Sequence, residues 1–300
     1  MDMTQNKCCR YGASLRRRRR RRRKILRSII FSCSIIAVAV FVAVGSSMIR
    51  SGDGRTNKYD VEAGNNTYDN AVIENSKISE KNKIQNNQSM LDDIMNSTQY
   101  PKQLKDLALK NEEALEFVYD YPAEHVKEHT IDLTEEASMD SVPLFVQWDK
   151  RWGYEKYSGN FFAASGCGPT TLSMVVVYLT HNREASPIAV AKYSKEAGYS
   201  VDGSGSSWTL ISEGCMHYGV KAKAVALDES RMKAELDEGH PIVVNVGPGD
   251  FTDTGHFMVI TGYDDEGFSI NDPNSIEKSG KRWLFRNISS QIRAVWSMYV

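Results

Sequence analysis

Cysteine is scarce in this sequence: its 300 residues include five, at positions 8, 9, 33, 167 and 215. Their spacing matches neither a disulfide framework nor a zinc site of the Cys-x-x-Cys kind, which excludes both kinds of small scaffold. The glycine-rich segment 203–207 lacks the Lys-Ser/Thr of a phosphate loop. The acidic turn 264–267 lacks the alternating ligands of an EF-hand. We therefore expect the protein to work without a metal or a cofactor.

Net charge is also almost absent, at −1, but this average conceals a strong asymmetry. Residues 1–50 contain 13 of the 37 Lys and Arg side chains and a single acid, Asp2. The remaining 250 residues carry 24 basic and 37 acidic side chains, a net charge of −13. An acidic body repels phosphate backbones, which argues against nucleic acid as the partner of the folded part.

Residues 28–49 contain no charged side chain and follow a basic segment that includes eight consecutive arginines, Arg16–Arg23. A helix of these 22 residues would span about 30 Å, the thickness of a bilayer core. Basic residues stay on the cytoplasmic side. The pattern therefore predicts a cytoplasmic segment at 1–27, a single-pass transmembrane signal anchor at 28–49 in a bacterial cell membrane, and an extracellular remainder. The small residues Ala43-Val44-Gly45 leave open a cleaved signal peptide and a secreted protein.

The sequence beyond this span divides into three parts. Residues 50–97 are polar with no sustained period, which predicts a flexible linker. Apolar side chains recur at helical spacing within 98–140, which predicts a helical lead-in packed on the main domain. The main domain is predicted at 141–300, with helices first and short β-rich runs beyond residue 239. This order is typical of an α+β fold with an antiparallel sheet.

Local patterns predict the elements of the main domain. Residues 143–148 are strand-like, and helices are expected from Cys167, after Ser186-Pro187, and over 209–218. Strands are expected at 241–246, 256–263 and 268–272, the last two joined by a hairpin turn. Cys215 and His217 lie two apart on the third helix and so point in different directions, which favours structural roles over joint metal binding.

Cys167 is the candidate nucleophile. It lies between two glycines immediately before Pro169, and a proline is well suited to the first turn of a helix. Free backbone N–H groups and the helix dipole at such a site favour a thiolate. For a lone cysteine the alternative is a small buried hydrophobe beside a turn, and a catalytic role requires a base elsewhere in the chain.

His256 and Asp272 supply that base and its orienting group. The hairpin brings His256, at the start of one strand, and Asp272, at the end of the next, to the same end of the sheet. With a four-residue loop Tyr263 pairs with Phe268 and Asp272 is offset by three residues from His256, a gap that a bulge or a shorter loop would close. A cysteine, a histidine and a carboxylate fill the three roles of nucleophilic catalysis.

Four segments taken together resemble the bacteriocin-processing-peptidase-like proteins of cysteine-peptidase family thirty-nine, in the papain-like clan. The resemblance covers roughly residues 142–300 and is carried by the segments 147–152, 165–170, 255–257 and 271–275. It implies a papain-like fold, in which a helical part carries the cysteine and an antiparallel sheet carries the histidine and the aspartate. It also implies peptide-bond hydrolysis, which in family members often follows Gly-Gly in leader peptides.

The sequence departs from this pattern at the oxyanion hole. Related enzymes usually carry a glutamine six residues before the cysteine, where this chain has Phe161. Gln147 is the nearest substitute and is our oxyanion candidate. No ATPase or transporter segment follows in this sequence, so export of a bacteriocin is not expected.

These features predict a membrane-anchored, extracytoplasmic cysteine peptidase that acts on a peptide or protein substrate. The same triad would also serve a cell-wall peptide hydrolase or acyltransferase. Phe161 motivates a third reading, a surface binding module of weak catalytic power on the same fold.

Overall fold

The computed structural model describes residues 66–300, with side chains from residue 79 onward. The predicted cytoplasmic segment at 1–27, the signal anchor at 28–49 and the first part of the linker lie outside the described residues. Within 66–300, no helix combines the length and the apolar character needed to cross a membrane. Residues 70–300 form one compact unit.

The prediction of a flexible linker is wrong for residues 66–96, which form a single α-helix, α1 (Asn66–Asn96). The segment contains no proline or glycine that would break a helix. Near its C-terminal end, Met90, Leu91 and Ile94 recur at helical spacing, and Ile94 is fully buried. This apolar stripe packs against the lead-in and explains why the helix is retained despite its polar composition.

The lead-in contains four short helices: α2 (Lys102–Lys110), α3 (Leu115–Tyr119), α4 (Tyr121–Glu124) and α5 (Thr134–Ser138). A 3-10 turn at Glu112–Ala114 joins α2 to α3, and the Asn111 side chain caps it by accepting a hydrogen bond from the Glu113 N–H. Pro122 is accommodated in the first turn of α4, because a proline there loses no hydrogen bond.

The helical part of the main domain contains α6 (Phe162–Ser165), α7 (Cys167–Thr180) and α8 (Pro187–Glu196). The predicted start of α8 is confirmed, since Ser186 caps it by accepting from the Ala189 N–H. The predicted third helix is wrong in its length: α9 (Thr209–Ser212) stops and a 3-10 helix follows at Gly214–Tyr218. Gly214 occupies this junction, where an added Cβ would lie only 3.0 Å from the Tyr199 ring.

Residues 143–148, predicted as strand-like, join no sheet. Pro143 has no N–H to donate, and the carbonyls of Val142 and Pro143 accept from the Asn271 side-chain amide instead. Two short ribbons lie nearby, β1 (Lys156–Tyr157) with β2 (Asn160–Phe161), and β3 (Ser200–Val201) with β4 (Gly205–Ser206).

The C-terminal part is a six-stranded antiparallel sheet with strand order β5-β10-β6-β7-β8-β9. The α+β arrangement is thereby confirmed. The strands predicted at 241–246, 256–263 and 268–272 are observed at 242–246, 256–264 and 267–271, within this sheet. The strands that the sequence analysis did not identify include β10, which lies between β5 and β6. The bounds are β5 (Lys221–Ala224), β6 (Ile242–Val246), β7 (His256–Asp264), β8 (Gly267–Asn271), β9 (Arg282–Trp283) and β10 (Ile292–Tyr299).

Both faces of the sheet are covered, and successive residues of β7 divide between two cores. Phe257 and Val259 face the core that contains α7, whereas Met258 and Ile260 face a second core. Met232 supplies that second core from α10 (Glu229–Asp237). The chain between β8 and β10 adds α11 (Ile276–Ser279) and α12 (Phe285–Ile288), followed by a 3-10 turn at Ser289–Gln291. Burial of both faces holds β7 rigidly, and with it the residue at its first position.

Candidate active site

Cys167 is the first residue of α7 and is half-buried. The next residue must be small, because a Cβ on Gly168 would lie 2.6 Å from Ser206 Oγ. On the other side, Gly205 has φ +85° and would place a Cβ 3.3 Å from the Ser165 carbonyl oxygen. The glycines therefore let the β3–β4 ribbon approach the N-terminus of α7, and Cys167 lies beside this contact.

His256 is the first residue of β7 and Asp272 follows the last residue of β8. The predicted pairing of Tyr263 with Phe268 is confirmed, and a bulge between Ile260 and Gly262 shifts the register beyond it. The shift shortens the offset between the histidine and the aspartate from three residues to two. His256 Nε2 lies 2.7 Å from Asp272 Oδ1, and both side chains are buried.

The Cys167 side chain interacts with the same imidazole. Because Nε2 is bound to Asp272, Nδ1 is the ring nitrogen that remains for the thiol. The structure thus brings the three predicted residues together in the order cysteine, histidine, aspartate.

The ionisation of the Cys167 thiol and the protonation of His256 favour each other. Burial opposes ionisation of the Cys167 thiol, but the hydrogen bond and charge of His256, with the Phe257 and Gly168 N–H groups, lower its pKa. Burial likewise opposes protonation of His256, but the charge and hydrogen bond of Asp272 and the contact with Cys167 raise the His256 pKa. Opposite shifts of the two pKa values favour a thiolate beside an imidazolium near neutral pH.

Asp272 is held from several directions although it lies outside the sheet. Its Oδ1 also accepts from the Asn274 N–H at 2.8 Å, and its own N–H donates to Ser279 Oγ at 2.9 Å. Among the described residues, its second carboxylate oxygen, Oδ2, is buried without a hydrogen-bond partner. The orientation of the carboxylate toward His256 therefore depends on the conformation of the loop 272–275.

A cleft of 510 Å³ opens beside Cys167. Gly203–Ser206 form one wall, and residues around the start of β7 form the other. Trp208 is 45% exposed at this cleft and meets the buried Trp296 edge to face. Among the described lining residues, Arg293 is the only one, apart from Cys167, whose side chain carries a charge. The lining also includes Asn245, Thr254, Gly255 and Phe257.

Gln147, the oxyanion candidate, is buried, and its Nε2 donates at 2.7 Å to the carbonyl of Ala163, four residues before Cys167. It is not among the residues that line the described cleft. Its Oε1 has no hydrogen-bond partner within the described part of the chain. The contribution of Gln147 to an oxyanion hole stays a prediction.

Phe161, which motivated the non-catalytic reading, is buried in the core shared with the lead-in. Its ring meets Tyr121 edge to face. Cys215 is buried as predicted for a structural cysteine, and burial raises the pKa of its thiol to about 11. His217 stacks on Tyr193 instead of approaching another metal ligand. No cluster of residues among those described could hold a metal ion.

The sequence analysis missed residues that contact the loop bearing Asp272. Asn111 and Glu113 of the lead-in, and Trp148, all hydrogen-bond this loop. Its composition, Asn-Asp-Pro-Asn-Ser, is a turn signal that indicates a need for external partners. Nothing in the sequence near position 111 or 113 identifies these residues as the partners.

A family model described as the Peptidase_C39 like family matches residues 139–300. None of the curated proteins matches the chain significantly. One similar solved structure is the peptidase domain of Streptococcus ComA, a bi-functional ABC transporter involved in a quorum sensing pathway. It is 19% identical, with 45% of this chain and 90% of that chain covered and a TM-score of 0.37. Another is a Bacillus anthracis protein assigned as a C39-like peptidase, 17% identical, with 56% and 97% covered and a TM-score of 0.33.

Proposed function

The chain belongs to the Peptidase_C39 like family, and from this premise we propose that it is a cysteine peptidase in which Cys167, His256 and Asp272 act as a triad. The observation that carries the proposal is the 2.7 Å contact between His256 Nε2 and the Asp272 carboxylate, on an imidazole that also interacts with the Cys167 thiol. A nucleophile, a base and an orienting group in hydrogen-bond contact are what thiol acyl transfer needs.

Each residue of the proposed triad has a role in the formation and the hydrolysis of a thioester. The Cys167 thiolate attacks the carbonyl carbon of a peptide bond, and the protonated His256 gives its proton to the departing amine as the carbon–nitrogen bond breaks. A thioester on Cys167 remains. Neutral His256 then removes a proton from water, the hydroxide adds to the thioester, and the carbon–sulfur bond breaks to release the acid and the thiolate. Asp272 keeps the ring oriented and stabilises its positive charge throughout.

We also propose that residues 28–49 anchor this peptidase with its catalytic domain outside the cytoplasm. The support lies in the sequence: an uncharged span directly follows a basic segment, and basic residues beside such a span stay in the cytoplasm. If the span is cleaved as a signal peptide, the same domain is secreted.

The test of the proposed site is the pH dependence of Cys167 alkylation. Iodoacetamide is added to the native protein at a series of pH values, and the modified fraction of each cysteine peptide is measured by mass spectrometry. We expect half-maximal reactivity of Cys167 at a lower pH than that of an ordinary free thiol, because the thiolate is lost only when pH falls through its lowered pKa. Peptide hydrolysis should decline again at high pH, because the imidazolium that protonates the amine is lost as pH rises through the raised His256 pKa.

Cys215 is the internal control in this experiment. It is buried and its pKa is raised to about 11, so it should stay unmodified until the protein unfolds. A half-point for Cys167 at about pH 8 to 9, that of an ordinary free thiol, would contradict the proposal and favour a binding module.

A further inference from the structure

The loop that carries Asp272 is held by residues outside the segment matched by the family model. Asn111 Nδ2 donates to the Asn274 carbonyl oxygen at 2.9 Å and to its Oδ1 at 3.1 Å. Glu113 lies two residues later and accepts three hydrogen bonds from the residues that follow Asn274. Both belong to the lead-in, whereas the matched segment begins at residue 139.

The Glu113 carboxylate binds the loop through both of its oxygens. Oε1 accepts from the Ser275 hydroxyl, and Oε2 accepts from the N–H groups of Ile276 and Glu277 at 2.7 and 3.1 Å. Hydrogen bonds to an ionised acceptor are stronger than those between neutral groups. The carboxylate therefore fixes the position at which the chain turns from the Asp272 loop into α11.

These contacts are continuous with the carboxylate that binds His256. Asn111 holds the carbonyl group of Asn274, and the N–H of the same residue donates to Asp272 Oδ1. Trp148 Nε1 adds a bond to the same carbonyl at 3.2 Å. Since Asp272 Oδ2 lacks a partner in the described structure, the carboxylate has no second anchor that would keep its orientation if the loop moved.

We propose, on the basis of the proposed function, that Asn111 and Glu113 are positioning residues that keep Asp272 directed at His256. The lead-in is then part of the catalytic unit and not a separate module. Neither residue lies among those that line the cleft beside Cys167. Weakening them should therefore lower kcat and leave KM nearly unchanged.

Two isosteric substitutions in the full chain test this proposal. Glu113→Gln removes the charge and replaces one acceptor oxygen with a donor. Asn111→Asp removes the donor to Asn274 but keeps the oxygen that caps Glu113. In each variant we expect about a tenfold loss in kcat and an alkylation half-point for Cys167 that moves toward that of an ordinary thiol, because a less ordered Asp272 stabilises the imidazolium less.

Glu116→Gln is the matched control, since Glu116 is an exposed residue of the same lead-in that makes none of the described contacts with residues 272–277. A purely structural role would lower the melting temperature without moving the alkylation half-point of the folded protein. If that half-point is low in the unaltered protein and unchanged in both variants, the positioning role is wrong while the proposed function stands. An ordinary half-point in the unaltered protein would contradict both.

A second observation concerns the charge in the cleft. Arg293 is exposed and lines the same cleft as Cys167, and no carboxylate among the described residues forms an ion pair with it. Its guanidinium occupies the space above Gly247, where a Cβ would lie 2.5 Å from Arg293 Cζ. The backbone at Gly247 is fixed by its own hydrogen bond to the Gln291 carbonyl. A cation held beside Gly247, in a cleft whose other described lining side chains apart from Cys167 are uncharged, is suited to bind an anionic group.

We infer that Arg293 is a specificity-determining residue that binds a carboxylate of the substrate peptide, an inference that also rests on the proposed function. A planar guanidinium can donate two parallel hydrogen bonds to such a group. The geometry therefore favours acidic substrates over neutral ones of the same shape.

The test compares two alkylating reagents of nearly equal size, anionic iodoacetate and neutral iodoacetamide, on native Cys167. We expect Arg293→Gln to lower the iodoacetate-to-iodoacetamide rate ratio about threefold to tenfold. Gly247→Ala retains the charge but displaces the guanidinium, and it should lower the same ratio in part. Lys192→Gln removes an equal charge at an exposed position outside the cleft lining and should have no effect.

The ratio does not require peptide cleavage, so it separates this inference from the proposed function. An unchanged ratio in Arg293→Gln would overturn the specificity role even if peptides are hydrolysed. An equal fall in the Lys192→Gln control would also overturn it, because the effect would then reflect net charge and not the cleft.

Discussion

Replacement of Cys167 by alanine is expected to abolish peptide hydrolysis while the protein stays folded. No other described thiol can substitute, because Cys215 is fully buried in the core. Loss of a nucleophile that acts together with its base removes the covalent pathway entirely, and a drop of about 10⁴-fold or more in kcat is expected. Turnover of a quenched peptide pool by the purified variant, with its melting temperature, is the measurement.

The matched control is Cys215→Ala, which also removes one thiol from the described chain. It should cost stability, by about 1 kcal/mol for a small buried group, and leave kcat close to that of the unaltered protein. Cys167→Ser should behave like Cys167→Ala, because a hydroxyl is not ionised by an imidazolium partner. Residual activity above a few per cent in Cys167→Ala would assign the chemistry to another residue.

Local signals were sufficient to predict the elements that bear the candidate triad. The Gly-Cys-Gly-Pro segment predicts the start of α7, and alternating residues with an acidic turn predict the β7–β8 hairpin, including the pairing of Tyr263 with Phe268. The sequence did not determine whether a bulge shifts the strand register near Thr261, because a bulge depends on packing against neighbouring strands. It is nevertheless what brings Asp272 one residue closer to His256.

Long-range features could not be predicted in the same way. The position of β10 between β5 and β6 depends on which strands share the two cores. The residues of the short segment 292–299 do not indicate which strands they pair with. The contact between Glu113 and Ser275 joins residues 162 positions apart. In contrast, the absence of proline and glycine over 66–96 was a local signal for the helix α1. The prediction of a linker relied instead on the polar composition of this segment.

The long-range contact between Glu113 and Ser275 connects the lead-in to the candidate active site. A family model that begins at residue 139 includes Cys167, His256 and Asp272, but it omits the side chains that hold the Asp272 loop. Since α1 and the lead-in share one core with Phe161 and Ala163, they also pack against the segment just before Cys167. The N-terminal helices thus contact the chain on both sides of the site, near the nucleophile and near the carboxylate.

Asp272→Ala is expected to produce the second large effect, a fall in kcat of about 10² to 10³-fold. Removing the carboxylate deletes the 2.7 Å bond that orients the imidazole and leaves a buried imidazolium without its counter-charge. The sign of the pH effect follows from these contacts. The pKa of His256 should fall toward its ordinary value and that of Cys167 should rise, so the acidic limb of the alkylation profile moves to higher pH.

Asp272→Asn separates orientation from charge in this effect. An asparagine keeps an oxygen that can accept from His256 and from the Asn274 N–H, so the ring stays oriented while the counter-charge is lost. We expect its kcat to lie between those of the unaltered protein and Asp272→Ala, with a comparable shift of the acidic limb. Asp264→Asn is the control: this aspartate lies on the same hairpin, is paired with Arg282 at 2.7 Å and is exposed. If Asp272→Asn and Asp264→Asn had the same profile, the carboxylate would have no part in ionising Cys167, because only Asp272 contacts the imidazole.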